Sequence, residues 1–450
     1  MSEVQAVADT VDIKAARLST DEYARNFSDM HPPLGPTAAL VEADRCYFCY
    51  DAPCTNACPT GIDVAGFIRM INAGNNIGAA RLILKENIMG GSCARVCPTE
   101  TLCEEACVRN EQDQRPVSIG LLQRHAADAA MVVDKQFFSR GPETGKRVAI
   151  VGAGPAGLSC AHSLARQGHS VAIYEAREKS GGLNEYGLAA YKMLEHFASR
   201  EIEYILAIGG IDIRYGQRLG DDFDLASLQQ DYDAVFLGMG LGGVNNLGVD
   251  NEDMDGVMNA VDYIARLRQS ENFSELPVGR RVVVIGGGMT AIDIATQIRL
   301  LGADEVTLLY RRARAAMKAS EEEQEFTQVR GVKIRYDAKP HKLDTVDGQV
   351  RAVEFERTRS NANGRLEGTG EYFSLAADML FKAIGQTFDA SASSALELDK
   401  GRIRVDADRK TSLDGVWAGG DCVCDGEDLT VAAVQDGKLA AKSINEYLRN

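Results

Sequence analysis

No stretch of this 450-residue sequence reaches the ~18 apolar residues that a membrane-spanning helix requires. The N-terminus, MSEVQAVADTVDIKAARLST, lacks the basic start and apolar run of a secretory leader. Positive charge is short as well. The 49 Lys and Arg stand against 65 Asp and Glu, a formal net charge of −16, which argues against general affinity for nucleic acid. These absences predict a cytoplasmic chain, and in that compartment structural disulfides are rare. Histidine is sparse, six in all, and cysteine is sparse outside one segment. Of eleven cysteines only Cys160, Cys422 and Cys424 lie outside 46–107, and these three read as small core or loop residues.

What is present divides along the chain. The length allows about three domains at roughly 150 residues each. Residues 1 to about 45 are polar and turn-rich (HPPLGP), the texture of an extended arm or a few loose helices. Residues 46 to about 128 hold two cysteine knots, separated by DVAGFIRMINAGNNIGAARLILKENIM, whose apolar spacing predicts helix. From about 147 short β-rich runs (RVAIVG, SVAIYE, AVFLG) alternate with helical segments, which predicts a parallel sheet covered by helices. The pattern restarts at RRVVVIGGG (280–288), a pseudo-repeat of one nucleotide-binding unit, and RSNANGRLEG (359–368) predicts a surface hairpin within the second unit.

The first knot runs C-x2-C-x4-C-x3-C-P through Cys46, Cys49, Cys54, Cys58 and Pro59; the second runs C-x3-C-x5-C-x3-C through Cys93, Cys97, Cys103 and Cys107. Closely spaced thiolates with a Cys-Pro step resemble bacterial ferredoxins, in which the cysteine before proline ligates the other cluster. Applied here, Cys58 leaves the first set for the second, and Cys107 returns to complete the first. Zinc prefers two separated C-x2-4-C pairs or cysteines mixed with histidine, and neither knot divides that way. Two [4Fe-4S] clusters are therefore expected. By counting alone the eighth ligand is Cys93.

VAIVGAGPAGLSCA places Gly152, Gly154 and Gly157 after a strand and at the start of a helix, with Pro155 and Ala156 inside the turn. Glycines there allow a tight turn and close approach of backbone to a pyrophosphate at the helix N-terminus. Glu175 ends the next strand 18 residues beyond Gly157, placed to accept a ribose hydroxyl. VVVIGGGMTAIDIA repeats the device through Gly286, Gly287, Gly288, Met289, Thr290 and Ala291. There the next strand ends in Arg311 and Arg312 rather than an acid, which favours NADP(H) over NAD(H). Two dinucleotide folds in one chain imply one flavin, FAD, and one nicotinamide. TSLDGVWAGGDC resembles the flavoprotein disulfide-reductase signature, with Gly420 and Asp421 at the flavin; Gly182, Leu183 and Thr430 are further candidate flavin contacts. No C-x-x-C or C-x4-C pair occurs in the flavin unit ahead of the second glycine motif, which excludes dithiol exchange of the usual kind.

The order of cysteine knots, flavin unit, nicotinamide unit and AGGD resembles the glutamate synthase small subunit and the N-terminal half of dihydropyrimidine dehydrogenase over nearly the whole chain. The five residues between Cys97 and Cys103, and the stretch DAPCTNACPTGIDVAGFI, favour the second. The sequence is identified as a member of this family, similar to its bacterial FAD/iron–sulfur subunit. That resemblance assigns Cys46, Cys49, Cys54 and Cys107 to one cluster and Cys58, Cys97, Cys103 and Gln123 to the other, leaving Cys93 unliganded. It places Lys318 with Arg311 and Arg312 at the 2′-phosphate, Lys192 beside the flavin, and Ala383 and Gly385 of AIGQ along the nicotinamide approach. YGLAAYKM departs from it, with Ala189 near where relatives carry proline in GIP.

The expected fold is an α/β flavoprotein with two Rossmann-like dinucleotide-binding domains and an N-terminal α-helical [4Fe-4S] domain. Its expected boundaries are 1–140 for the cluster domain, 141–247 with 378–450 for the FAD domain, and 248–377 for the NAD(P)H domain inserted in it. A nicotinamide yields two electrons at once and a cluster accepts one, so the flavin between them is a converter. No catalytic residue beyond the cofactors is expected in this chain. The resemblance implies an FMN- and iron–sulfur-containing partner subunit that reduces uracil and thymine, in a hetero-oligomer. The alternatives are a glutamate synthase small subunit and, of another class, a non-catalytic zinc-binding assembly module on a flavoprotein.

Overall fold

The computed structural model describes residues 18–133, 136–361, 363–391, 395–424 and 426–449. They form two compact units, one of Met30–Glu185, Lys192–Gly242 and Phe388–Asn450, the other of Tyr186–Tyr191, Gly243–Thr387 and the chain up to Asp29. The start of the expected arm, 1–17, lies outside the described residues. Among the described residues no helix is long and apolar enough to cross a membrane.

The first unit begins with a helical part. Two helices, Val64–Asn72 and Asn76–Glu86, occupy the segment between the cysteine knots, where the spacing predicts helix. They break at Gly74, which sits at φ +74° and lets the chain turn. Asp63 accepts the Gly66 amide and Asn75 accepts the Gly78 amide, satisfying otherwise unpaired donors at each N-terminus. Phe67, Ile68 and Ile71 on one helix and Ile83 and Leu84 on the next are buried against Leu122 and Ala126 of the helix Ile119–Val133. Each such large side chain stabilises the fold by about 1.5–3 kcal/mol. The same core continues into Ile150, Leu158 and Trp417 of the sheet-bearing part.

That part is a five-stranded parallel sheet. Arg147–Val151 lies at its centre between Ser170–Glu175 and Ala234–Leu237, with Ile211–Tyr215 and Val416–Ala418 at the edges. The central strand is buried from Val148 onward, as its unbroken apolar run requires of a strand covered on both faces. The last edge strand and the helix Thr430–Arg449 come from the C-terminal segment, so this sheet is completed only after the chain has built the second unit.

The second unit repeats the plan. Arg281–Gly286 is central, flanked by Glu305–Leu309 and Met379–Ala383, with Val332–Arg335 and Val257–Asn259 outside, all parallel. An antiparallel three-stranded sheet, Ala338–Val346, Gln349–Ser360 and Leu366–Ala376, is added to it. Its second turn spans the Asn/Gly-rich stretch that predicts a hairpin. The helix Thr20–Asn26 also belongs to this unit: Asn26 donates to the Leu300 carbonyl at 2.8 Å, and Phe27 packs on Phe273. An extended arm or a few loose helices is what its polarity alone predicts. Two aromatic residues, Tyr23 and Phe27, anchor it instead.

Candidate functional site

The loop that carries Cys46, Cys49 and Cys54 is mostly irregular, with a single helical turn at Pro53–Asn56. Two non-glycine residues in it, Phe48 and Ala52, hold left-handed backbone, at φ 52° and 31°. Such conformations cost about 1–3 kcal/mol each and persist where the surroundings dictate them, commonly at functional sites. The result is that Cys46, Cys49, Cys54 and, from about fifty residues later, Cys107 line one cavity with Ala65 and Val117. Burial pushes the Cys54 thiol up to about 11, and the neighbouring Cys46 and Cys107 add to the shift. Cys46 is raised for the same reasons, burial first and then Cys107 and Cys49. Four mutually repelling thiolates in a half-buried cavity need a cation to be charged together, so the donor set fits a metal cluster.

The other candidates are Cys58, Cys93, Cys97, Cys103 and Gln123. Cys97 is raised by its hydrogen bond with Cys93 and by burial, and Cys103 and Cys58 act on it. Cys103 is raised by burial and by Glu104, and Cys58 and Cys54 act on it as well. Cys58, Cys93, Cys97 and Cys103 therefore share one neighbourhood. Cys93 lies on the helix Gly90–Val96, buried, and accepts a hydrogen bond from Asn87 Nδ2 at 3.1 Å. Gln123 is buried on the helix Ile119–Val133, and its Nε2 donates to the Gly90 carbonyl at 2.7 Å. That bond engages the amide nitrogen and not the amide oxygen. Among the described residues no group of three or more His, Cys, Asp or Glu is arranged to hold a single metal ion.

At the first glycine turn, Gly152 sits at φ +99°, and a Cβ there would meet the Gly238 carbonyl oxygen at 2.4 Å. A Cβ on Gly157 would meet the Gly152 carbonyl oxygen at 2.0 Å. Both are required by packing. Gly154 differs: its Cβ would find nothing nearer than 3.8 Å, so its missing side chain leaves open room at the N-terminus of the helix Pro155–Arg166. That room is where a pyrophosphate needs to approach. Glu175 accepts the Ala153 and Arg177 amides, both at 2.8 Å, one on each carboxylate oxygen. Each oxygen keeps a second acceptor site for a ribose hydroxyl. Gly182, at φ +54°, faces Gly154 across the turn; Leu183 opens the short helix Leu183–Tyr186 beside it and is partly exposed. Lys192 is buried. Thr430 donates to Asn184 Oδ1 at 2.9 Å. The Gly420 amide donates to Asp436 at 2.8 Å, and burial, with Asp428 beside it, pushes the Asp421 carboxyl up to about 6.

The second turn is built alike. A Cβ on Gly286 would meet the Ala383 carbonyl oxygen at 2.2 Å, whereas Gly288 has nothing within 4 Å. Met289, Thr290 and Ala291 open the helix Met289–Leu300 behind it. Gly287 packs against the Tyr310 ring, and its carbonyl accepts the Lys318 amide at 2.9 Å, so the loop 311–318 folds back toward the glycine turn. Arg311, Arg312 and Lys318 are exposed on that loop. Ala383 ends the strand beside Gly286, and Gly385 follows at φ +96°, its carbonyl accepting the Asn245 amide at 3.1 Å. All of these gather at the C-terminal ends of the strands, where open α/β sheets bind ligands.

Several residues at these sites carry no signature that a motif search would find. Glu201, on the helix Phe197–Leu206, is fully buried and accepts the Gly91 amide at 2.8 Å and the Ser92 amide at 3.0 Å. Lys438 donates to the Glu86 carbonyl at 2.6 Å and pairs with the Glu86 carboxylate at 3.1 Å, tying the C-terminal helix to the helical part. Gly437 lets that helix touch the helix after the first glycine turn, since its Cβ would meet the Ala156 carbonyl oxygen at 2.2 Å.

Residues 146–437 match the pyridine nucleotide-disulphide oxidoreductase family, and residues 23–135 match dihydropyrimidine dehydrogenase domain II, 4Fe-4S cluster. The chain is 35% identical over 426 residues to the NAD-dependent dihydropyrimidine dehydrogenase subunit PreT of Salmonella typhimurium, covering 94% of this chain and 98% of that one. It is 34% identical over 447 residues to the glutamate synthase [NADPH] small chain of Escherichia coli K12, covering 94% of each. Among solved structures, Mycobacterium tuberculosis FprA in complex with NADPH superposes with a TM-score of 0.58 at 18% identity, covering 69% of this chain and 85% of that one. That likeness is one of fold.

Proposed function

We propose an electron-input role for this chain, because it belongs to the pyridine nucleotide-disulphide oxidoreductase family and joins to that fold an N-terminal 4Fe-4S domain. In this reading the chain takes hydride from NAD(P)H onto FAD and passes single electrons through two [4Fe-4S] clusters to an FMN partner subunit. That partner reduces uracil and thymine to 5,6-dihydropyrimidines, in a cytoplasmic hetero-oligomer. The flavin supplies the conversion from a two-electron donor to one-electron acceptors. In this reading the domains are 1–140 for the clusters, its helix Thr20–Asn26 packing instead with Gly243–Thr387, then 141–247 with 378–450 for FAD, and 248–377 for NAD(P)H.

The carrying observation is the cavity in which Cys107 joins Cys46, Cys49 and Cys54. A zinc-binding module needs no such crossing of two sequence knots, whereas the ferredoxin-like exchange of one cysteine does. The second set is then Cys58, Cys97, Cys103 and Gln123, whose amide oxygen would be its donor atom, the nitrogen being bonded to Gly90. Gly152, Gly154 and Gly157 bring backbone to the flavin pyrophosphate, and Glu175 holds its ribose. Arg311, Arg312 and Lys318 hold a 2′-phosphate, which favours NADPH.

Anaerobic NADPH is expected to bleach both the flavin bands and a shoulder near ~400 nm in the purified chain. The double substitution Arg311→Ala, Arg312→Ala is expected to weaken NADPH about 30-fold or more while leaving NADH within about threefold, since each bidentate charge-assisted contact is worth about 1.5–3 kcal/mol. A chain without the shoulder has no cluster, and equal loss of both nucleotides removes the assignment to the 2′-phosphate.

A further inference from the structure

Resting on the two-cluster reading, the geometry points to Glu201 as a positioning residue that, where it is ionised, takes up one proton from water when the second ligand set gains an electron. The carboxylate comes from the flavin-binding part of the chain but is spent wholly on the helix Gly90–Val96 of the cysteine-rich part. It accepts the amides of Gly91 and Ser92 and the Ser92 hydroxyl. The residue before them, Gly90, uses its carbonyl to hold Gln123, and the residue after them is Cys93. A charge on Glu201 thus sits on the backbone that positions one donor of the set.

The surroundings of Glu201 are equipped for two protonation states. Its side chain is fully buried, and the positive group near it is Arg95, whose guanidinium lies 3.5 Å from the Phe197 ring centroid and is bonded to Asp128 at 2.6 Å. Arg124, on the same helix as Asp128, shares that carboxylate. On Glu201's own helix, Arg200 and Glu203 face solvent. On the neighbouring helix Pro155–Arg166, the ionisable groups His162 and Arg166 turn to the ring of Phe138. Arg95 is therefore largely committed to Asp128, and Glu201 is left to backbone amides and one hydroxyl. Burial pushes its carboxyl up to about 7, against the pull of those donors and of Arg95. A hydroxyl both donates and accepts, so Ser92 can donate to the carboxylate and, after rotation, accept from the carboxylic acid. One electron arriving at the ligand set and one proton arriving at Glu201 leave the net charge of the buried region unchanged. No bond breaks except that of the proton to its water carrier. A second negative charge in a buried region is costly, and the proton removes that cost.

The test is an anaerobic redox titration of the intact chain from pH about 6 to about 9, read by the low-temperature spin signal of each cluster. Above pH about 7 the wild-type potential of the second cluster is expected to fall by about 59 mV per pH unit, the one-electron equivalent of a tenfold change in proton concentration. Below that pH Glu201 is protonated in both states and the potential is flat. Glu201→Gln is expected to be flat throughout, while Ser92→Ala, which keeps the carboxyl and loses a donor to its charged form, moves the break to higher pH. A second cluster whose potential is independent of pH in the wild type, or keeps its break in Glu201→Gln, overturns the inference and leaves the two-cluster reading intact. If Glu201→Gln fails to load its clusters, an unmoved break in Ser92→Ala overturns it alone. A wild-type chain with a single cluster overturns the underlying reading, and the inference with it.

Discussion

Replacing Cys107 with serine is expected to cut the iron content of the chain by about half and to lower electron delivery to an acceptor protein by more than ~100-fold. Flavin reduction by NADPH should change by less than about threefold. The reasoning is local. Cys107 is the only one of the four cavity-lining cysteines that comes from the second knot, and Cys46, Cys49 and Cys54 cannot close a four-thiolate site alone. A serine oxygen is a harder and far less acidic ligand than thiolate, so the exchange removes affinity while leaving volume nearly unchanged. Cys93→Ser is the matched control: if Gln123 is the eighth donor, that variant keeps its iron. Iron and acid-labile sulfide analysis with flavin content checks both, and equal losses in the two variants would contradict the assignment of Gln123 as the eighth donor.

Gly157→Val is expected to abolish FAD binding, a loss of at least ~100-fold or about 2.7 kcal/mol. Any Cβ at this position overlaps the Gly152 carbonyl oxygen, and the branched side chain of valine also meets Ile150 on the central strand. The turn then opens at the place where backbone has to approach the pyrophosphate. Gly154→Ala is the contrasting case, because its Cβ enters open room and strains nothing in the chain. It should fold with normal stability and still weaken FAD, whereas Gly157→Val should lose stability as well. Thermal unfolding with and without added FAD separates the two.

Much of the fold is written in short-range pattern. The central strands Arg147–Val151 and Arg281–Gly286 are apolar runs ending in glycine, which mark strand, turn and helix start together. Both sheets follow from that repeat. The return of Val416–Ala418 to the edge of the first sheet is signalled by the Gly-Gly-Asp after it. The anchoring of Thr20–Asn26 to the second unit is not legible, because it depends on Phe273, nearly 250 residues away, and polar composition gives no sign of it. The site divides in the same manner. Glycine spacing and cysteine spacing carry chemistry in the chain's own order, so a reader can find them. Glu201, Lys438 and Gly437 carry theirs through partners far away in sequence. A glutamate on an amphipathic helix is ordinarily a solvated residue, and only burial against the Gly91 and Ser92 amides distinguishes Glu201.

The left-handed residues Phe48 and Ala52 are a further case in which local rules and the site disagree. Neither residue type favours that conformation, and no turn motif predicts it. The loop adopts it because three cysteines have to face one cavity within nine residues, which extended or helical backbone cannot do. Strain of this kind is expected at a ligand site and is held by the packing of the surrounding helices.

The role proposed above for this chain is the supply of electrons to pyrimidine reduction. The direct measurement is anaerobic affinity purification of the chain from its native cells, followed by NADPH oxidation with the co-purified protein. Uracil is compared with 2-oxoglutarate plus glutamine. Co-purification of an FMN protein, with NADPH oxidation that depends on uracil, is the predicted result. Oxidation that depends only on 2-oxoglutarate and glutamine, with a large glutamine-binding partner, would contradict it.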